Sequence, residues 1–275
     1  MNRKVEKQIN KIYEAVFKKI FNRQRLKAAT QGNIKEIEKA IINLSNSRDF
    51  KKFCEKFSKQ LASKGLTHQK GIWKKFYQAA KESNNIVLPS TYSEFEKKIM
   101  KEAVEHNFRM IKSVPTHVLN VYKQKDIQVL ISQVAENKVG RNTFVKQLQN
   151  HGYKNAKLIA RTETAKLQTF IDEKRATNLG SVAYIWLASH DKRTRQSHKE
   201  MNDVVVFWRK DSEKPLLDKM RGNAGEFPNC RCTPLPILDE DDLTKSTYSV
   251  YDYRNDKKIT LKRAELLKCL EKGSL

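Results

Sequence analysis

The chain has 275 residues, enough for one large domain or two modest ones with a real buried core. Lys and Arg number 55 against 31 Asp and Glu, and 39% of residues are hydrophobic, which excludes a wholly disordered polyanion or tail. The longest uncharged run of note, Ala176 to His190, has 15 residues, short of the roughly 20 that a membrane span needs. The opening MNRKVEKQIN is charged from its third residue and predicts no secretory leader. Four scattered cysteines (Cys54, Cys230, Cys232 and Cys269) predict a reducing compartment and no disulfide framework.

Charge divides the chain. Residues 1–160 carry 33 basic and 13 acidic side chains, a net of +20, whereas residues 161–275 carry 22 and 18. A basic region of this size suits a polyanion, double-stranded DNA above all, although a solvated lysine-rich surface has the same composition.

The first half reads as helices. Val5, Ile9, Ile12, Val16 and Ile20 form one apolar stripe, and Gln31-Gly32-Asn33 ends it. Ile34, Ile37, Ile41 and Leu44 make a second stripe; Phe50, Phe53, Phe57 and Leu61 make a third. Trp73, Phe76 and Tyr77 share a face of a short helix between Gly71 and a loop at Asn84-Asn85 and Pro89-Ser90. Ser93 with Glu96 has the spacing of a capping box for a helix to about Ile111, and Pro115 suits the first turn of the next. Another helix is expected from Asn142. Lysine pairs at 18–19, 51–52, 74–75 and 97–98 lie between the stripes, which predicts a bundle with basic outer faces.

The second half changes character. Ala156 to Thr177 reads as a long helix stopped by Asn178-Leu179-Gly180. Val182 to Leu187 and Val204 to Trp208 are rich in β-branched and aromatic residues and read as strands. Between them runs a charged loop, His190 to His198. A polar connection follows from Lys210 to Gly225, then the compact stretch Phe227 to Pro236, with a strand in its later part, and a terminal amphipathic helix over Leu261–Leu270. The predicted fold class is therefore predominantly helical α+β: a basic helical half followed by a small mixed domain. The expected divisions are 1–140, 141–238 and a C-terminal extension, 239–275.

Four motifs stand in order in that second part: Ala160-Arg-Thr-Glu-Thr-Ala165; a strand ending Trp186-Leu-Ala188; Asp191-x-Arg193-x-Arg195-x-x-His198; and Asn229-Cys-Arg-Cys232. Together they resemble the Mu F-like head morphogenesis domain, over about residues 140–238. The resemblance implies a minor head protein of a tailed phage. Its partners would be the portal protein and the head shell or scaffold, and its place the virion, with assembly in the host cytoplasm. It implies a part in procapsid assembly and in DNA packaging or ejection, with no enzymatic turnover.

The site residues carried by these motifs are Arg161, Glu163, Asp191, Arg193, Arg195, His198, Cys230 and Cys232. Arg161 and Glu163 lie two apart on a helix and do not face each other. They are expected to tie the helix to the loop bearing Asp191 and Arg193, the competing reading being a catalytic carboxylate with its arginine. Trp186 is expected in the core, with Cys54 and Cys269 as small apolar fillers.

Two cysteines at i and i+2 in a strand point the same way and could share a metal. Many relatives carry Cys-x-x-Cys after the Asp-x-Arg element and a His shortly before Cys-x-Cys, a plausible zinc ligand set. Here those positions hold Arg195, His198 and Phe227, and arginine cannot ligate zinc. His198, Cys230 and Cys232 remain as candidate ligands, with His190 or Asp191 as a possible fourth. The expectation is no cofactor, zinc being the alternative. The competing function is a metal-dependent enzyme acting on nucleic acid through His190, Asp191 and His198, with Asp203 nearby. No Gly-rich phosphate loop or nucleophile elbow supports it: Gly222-x-x-Gly225 lacks the Lys-Ser/Thr that would follow.

Overall fold

A computed structural model describes residues 3–20, 34–82, 88–122, 129, 133, 141–208, 217, 220 and 222–275. The expected break at Gln31-Gly32-Asn33, the loop at Asn84-Asn85, Gly140 and much of the Lys210–Gly225 connection lie outside these residues. The chain is predominantly helical with one mixed sheet, the α+β class its sequence predicts. Six helices come first: α1 (Arg3–Ile20), α2 (Ile34–Asn46), α3 (Arg48–Leu66), α4 (Lys70–Glu82), α5 (Tyr92–Tyr122) and α6 (Arg141–Asn178). Then follow β1 (Ala183–Leu187), the short α7 (Gln196–Lys199), β2 (Val205–Phe207), β3 (Thr233–Ile237), β4 (Thr247–Asp252), β5 (Lys257–Lys262) and α8 (Arg263–Lys272).

Two compact units interleave along the chain. One comprises Arg3–Lys64 and Val104–Glu163, the other Gly65–Ala103 and Thr164–Leu275. This division does not follow the expected linear one at 140, because α5 and α6 each run through both units.

In the first unit the α1 stripe buries Val5, Ile9, Ile12 and Val16, and the α3 stripe buries Phe50, Cys54 and Leu61. Gln8 and Gln60 hydrogen-bond at 2.8 Å, joining α1 to α3. Tyr13, buried in α1, meets His117 Nδ1 of α5 at 3.1 Å. Two helix boundaries differ from expectation. Pro115 lies inside α5 rather than opening a new helix, with Ile111, Val114 and Pro115 all buried. Tertiary burial thus outweighs the roughly 3 kcal/mol that an interior proline costs. The helix expected from Asn142 and that expected from Ala156 are one continuous α6.

In the second unit α4 buries Trp73 and Tyr77, while Phe76, expected on the same face, is 40% exposed. The α5 cap is Thr91, whose Oγ1 accepts the Glu94 amide at 3.2 Å, with Ser90 Oγ on Glu94 Oε2 at 2.6 Å. The expected Ser93–Glu96 box does not form, because Glu96 is held by Arg175 of α6. α6 ends where Gly180 takes φ 88°, as the Asn178-Leu179-Gly180 stop predicts.

The sheet runs β3-β1-β2-β4-β5. β1 pairs antiparallel with β2 and β3, β2 pairs parallel with β4, and β4 pairs antiparallel with β5. Both edges are protected: Pro234 and Pro236 stand in β3, and Lys257, Lys258 and Lys262 in β5. One core gathers Ala183, Val205, Phe207, Ile237, Leu243, Tyr248, Val250 and Leu266, the last from α8. Alternation sends Tyr184, Trp186 and Val206, also fully buried, to the opposite face. Residues 239–275, expected as an extension, supply β4, β5 and α8 and so complete the sheet that β1 begins. Among the described residues no helix is long and apolar enough to cross a membrane.

Candidate functional site

The predicted site residues fall in two places. Arg161 pairs with Glu6 of α1 at 3.7 Å, and Glu163 is close enough to Tyr13 to help burial raise its phenol far above the usual range. Asp191 is instead paired with Arg231. The contacts of Arg161 and Glu163 described above are with α1, and that of Asp191 is with Arg231. Asp191 thus meets a cation within the Asn-Cys-Arg-Cys motif.

The other six residues gather at the end of β1. After Leu187 the chain turns through His190, which adopts φ 51°. Asp191 Oδ1 accepts the Arg193 amide at 2.9 Å and the Thr194 hydroxyl at 3.3 Å. Partial desolvation pushes the Asp191 carboxyl up, but the Arg193 amide, Arg231 and Thr194 outweigh it and leave it below the usual carboxylate range. The turn leads into α7, which carries His198 inward until it is 2% exposed. There its ring meets Trp186 edge-on at 5.6 Å and Phe227 at 5.1 Å between centroids.

A second turn closes from the other side. The Cys230 amide donates to the Phe227 carbonyl at 2.9 Å, and Asn229 takes φ 55°. Cys230 and Cys232 precede β3, so they share a side because of this turn and not because of strand alternation. Gly225 adds a close approach: at φ 93° its hydrogen faces Thr169 of α6, where a Cβ would lie 2.5 Å from Oγ1. Thr169 Oγ1 itself donates to the Ala224 carbonyl at 2.8 Å, locking the turn to α6.

His198 Nδ1 lies 3.3 Å from Cys230 Sγ and 3.5 Å from Cys232 Sγ. Cys230 Sγ also accepts the Cys232 amide at 3.4 Å. The hydrogen bond from the Cys232 thiol, joined by that from His198, holds the Cys230 thiol well below its ordinary range against the pull of burial. Cys232 keeps the shared proton and is pushed far up. His198, Cys230 and Cys232 offer three donor atoms within 4.8 Å of one another, and among the described residues neither His190 nor Asp191 joins them. All four cysteines are free thiols. Cys54 is buried and Cys269 packs beside the sheet core, both as expected for apolar fillers.

Arg195 reaches across the mouth of this cluster. Its Nη2 donates to the Pro228 carbonyl at 2.9 Å, and its Nη1 lies 3.3 Å from His198 Nε2. With Arg193, Thr194 and Arg231 it lines a small open cleft above the two sulfurs. Arg231 stands inside the Asn-Cys-Arg-Cys motif, and its position between two inward cysteines was the signal for an outward-facing partner of Asp191.

Residues 125–235 match the family described as Phage Mu protein F like protein. An uncharacterized protein of Haemophilus influenzae is 29% identical over 136 residues, which is 50% of this chain and 29% of that protein. An NAD(+)–arginine ADP-ribosyltransferase of Enterococcus faecalis is 36% identical over 95 residues, 32% of this chain and 20% of that protein. The chain thus spans under a third of the length of these curated relatives. No solved structure matches.

Proposed function

The chain carries a Mu F-like domain over residues 125–235, and from that premise we propose that it is a minor head protein of a tailed phage. It docks at the portal vertex or inner shell, acts in procapsid assembly and in DNA packaging or ejection, and turns over no substrate. The observation that carries this reading is the family match, which takes in both turns of the cleft and all six residues gathered there. The portal is favoured because a component present in few copies needs a unique docking point.

Contact with DNA is non-specific and electrostatic. The lysine pairs at 51–52, 74–75 and 97–98 are exposed on the outer faces of their helices, where they can reach phosphates without reading bases. The nuclease alternative loses ground on geometry. His198 is buried with Nδ1 turned to two sulfurs, and Asp191 is engaged by Arg231. The transferase activity named for the enterococcal relative is not carried over, since the match takes in 20% of that protein.

The test is co-expression with the cognate portal protein. Co-purification that survives high salt, together with presence of the chain in purified procapsids, is the expected result. Absence from both overturns the reading.

A further inference from the structure

The position of one proton decides what the His198–Cys230–Cys232 cluster can hold. Arg195 Nη1 lies 3.3 Å from His198 Nε2. A guanidinium has only donors and stays protonated, so Nε2 must be the acceptor in that contact. Arg195 is kept in this orientation by its second bond, Nη2 to the Pro228 carbonyl at 2.9 Å. A neutral imidazole with a free lone pair on Nε2 carries its proton on Nδ1. Nδ1 is the nitrogen that faces the sulfurs, at 3.3 and 3.5 Å.

Two N–H donors then converge on Cys230 Sγ: the His198 Nδ1–H and the Cys232 amide at 3.4 Å. Such a sulfur is an acceptor in both contacts. Zinc would need the opposite arrangement. A histidine that ligates through Nδ1 carries its proton on Nε2 and donates it to a carboxylate, a carbonyl or water. In this chain that proton would point at the Arg195 guanidinium, which can only donate. The cluster also offers three donors among the described residues, where structural zinc takes four.

We infer that Arg195 holds the His198 proton on Nδ1, so that the His198–Cys230–Cys232 cluster is a centre closed by hydrogen bonds and not by zinc. Arg195 is a positioning residue that acts through the ring. The centre clasps the Phe227–Cys232 turn onto α7 with a proton where a metal ion would otherwise sit. This inference stands apart from the role in the phage head.

The experiment uses the full chain with histidine labelled in ¹⁵N, reduced and free of added metal. Long-range ¹H–¹⁵N correlation reads the tautomer of each ring, and the His198 signals are those lost in His198→Gln. The expected pattern is protonated Nδ1 with unprotonated Nε2; the reverse pattern overturns the inference. A second measurement is zinc affinity by competition with a chromophoric chelator. In Arg195→Glu a carboxylate can accept the Nε2 proton, and zinc should bind at least about tenfold tighter than to the wild type. Equal affinity, or stoichiometric zinc in the wild-type protein as purified, overturns the inference. Should Arg195→Glu fail to fold, the wild-type spectrum and metal content still decide.

Discussion

Arg175 grips Glu96 with two parallel hydrogen bonds, Nε to Oε1 and Nη2 to Oε2, both 2.9 Å. The arginine is fully buried, and it also donates to the carbonyls of Leu66 at 2.7 Å and His68 at 3.1 Å. One side chain of α6 therefore satisfies the C-terminal end of α3 and neutralises a carboxylate of α5. Removing one partner of such a pair leaves an uncompensated buried charge. Arg175→Ala should lower the free energy of unfolding by about 3–5 kcal/mol, read from urea denaturation. A loss below about 1 kcal/mol would show the pair to be solvated.

Next to Arg175 the same helix carries two carboxyls of opposite tendency to the usual. Burial, then the nearby Glu226, pushes the Glu173 carboxyl up to about 7, and burial pushes Asp172 up to about 6. Both native values exceed the unfolded ones, so between about pH 4 and pH 7 the folded state binds more protons than the unfolded state. Their contribution to stability is fully present below that window and is lost as pH rises through it. Glu173→Gln keeps an acceptor for Asn223 Nδ2, which lies 3.3 Å from Oε2. The variant should melt above the wild type at pH 8 and show a flatter melting curve against pH. Parallel curves for the two proteins would remove Glu173 as the source.

These two carboxyls and the Arg175–Glu96 pair mark where the sequence was readable and where it was not. The apolar stripes of α1 and α3, the Gly180 stop, and strands β1, β2 and β3 were legible, because period and stop signals are local. The charged network was not. Arg161 and Glu163 drew attention through a motif, while Arg175 and Glu96, 79 residues apart, offered no local sign of pairing. The β4–β5 hairpin was missed for a different reason. Its alternation (Tyr248 and Val250, Ile259 and Leu261) is present, but lysines fill the outward positions of β5 and lower its apolar content. At the site, His198, Cys230 and Cys232 were legible as a set. What Arg195 does was not, since hydrogen-bond polarity at a ring nitrogen depends on three-dimensional placement.

The basic helices give a quantitative expectation for DNA. If about five phosphates are neutralised, the logarithm of the binding constant should fall with the logarithm of salt at a slope near −4 to −5. Filter binding of duplexes of unrelated sequence should give the same constants at each salt concentration. Affinity that does not change with salt, or differs strongly between sequences, would rule out a purely electrostatic contact.

The thiol chemistry of Cys230 supplies the sharpest contrast within one chain. Alkylation proceeds through the thiolate, so the rate for an ordinary cysteine rises about tenfold per pH unit below its pKa. Cys230 is held well below that range by the Cys232 thiol and the His198 ring, so it is already a thiolate at pH 6. Its rate with iodoacetamide should be nearly constant from pH 6 to pH 8, although slow, because the residue is 5% exposed in the lining of the cleft. Cys54 is pushed by burial up to about 11 and should keep climbing over the same interval. Peptide mass spectrometry after timed quenching separates the two sites. His198→Ala removes the ring's hydrogen bond to the sulfur, so the pH at which the Cys230 rate levels off should rise, the Cys232 thiol remaining as the larger influence, and the melting temperature should fall. It removes one of the donors to a buried sulfur, a loss worth about 1–3 kcal/mol. A wild-type Cys230 rate that climbs in step with Cys54 would mean that its proton is still in place at neutral pH, and that the two sulfurs share it differently.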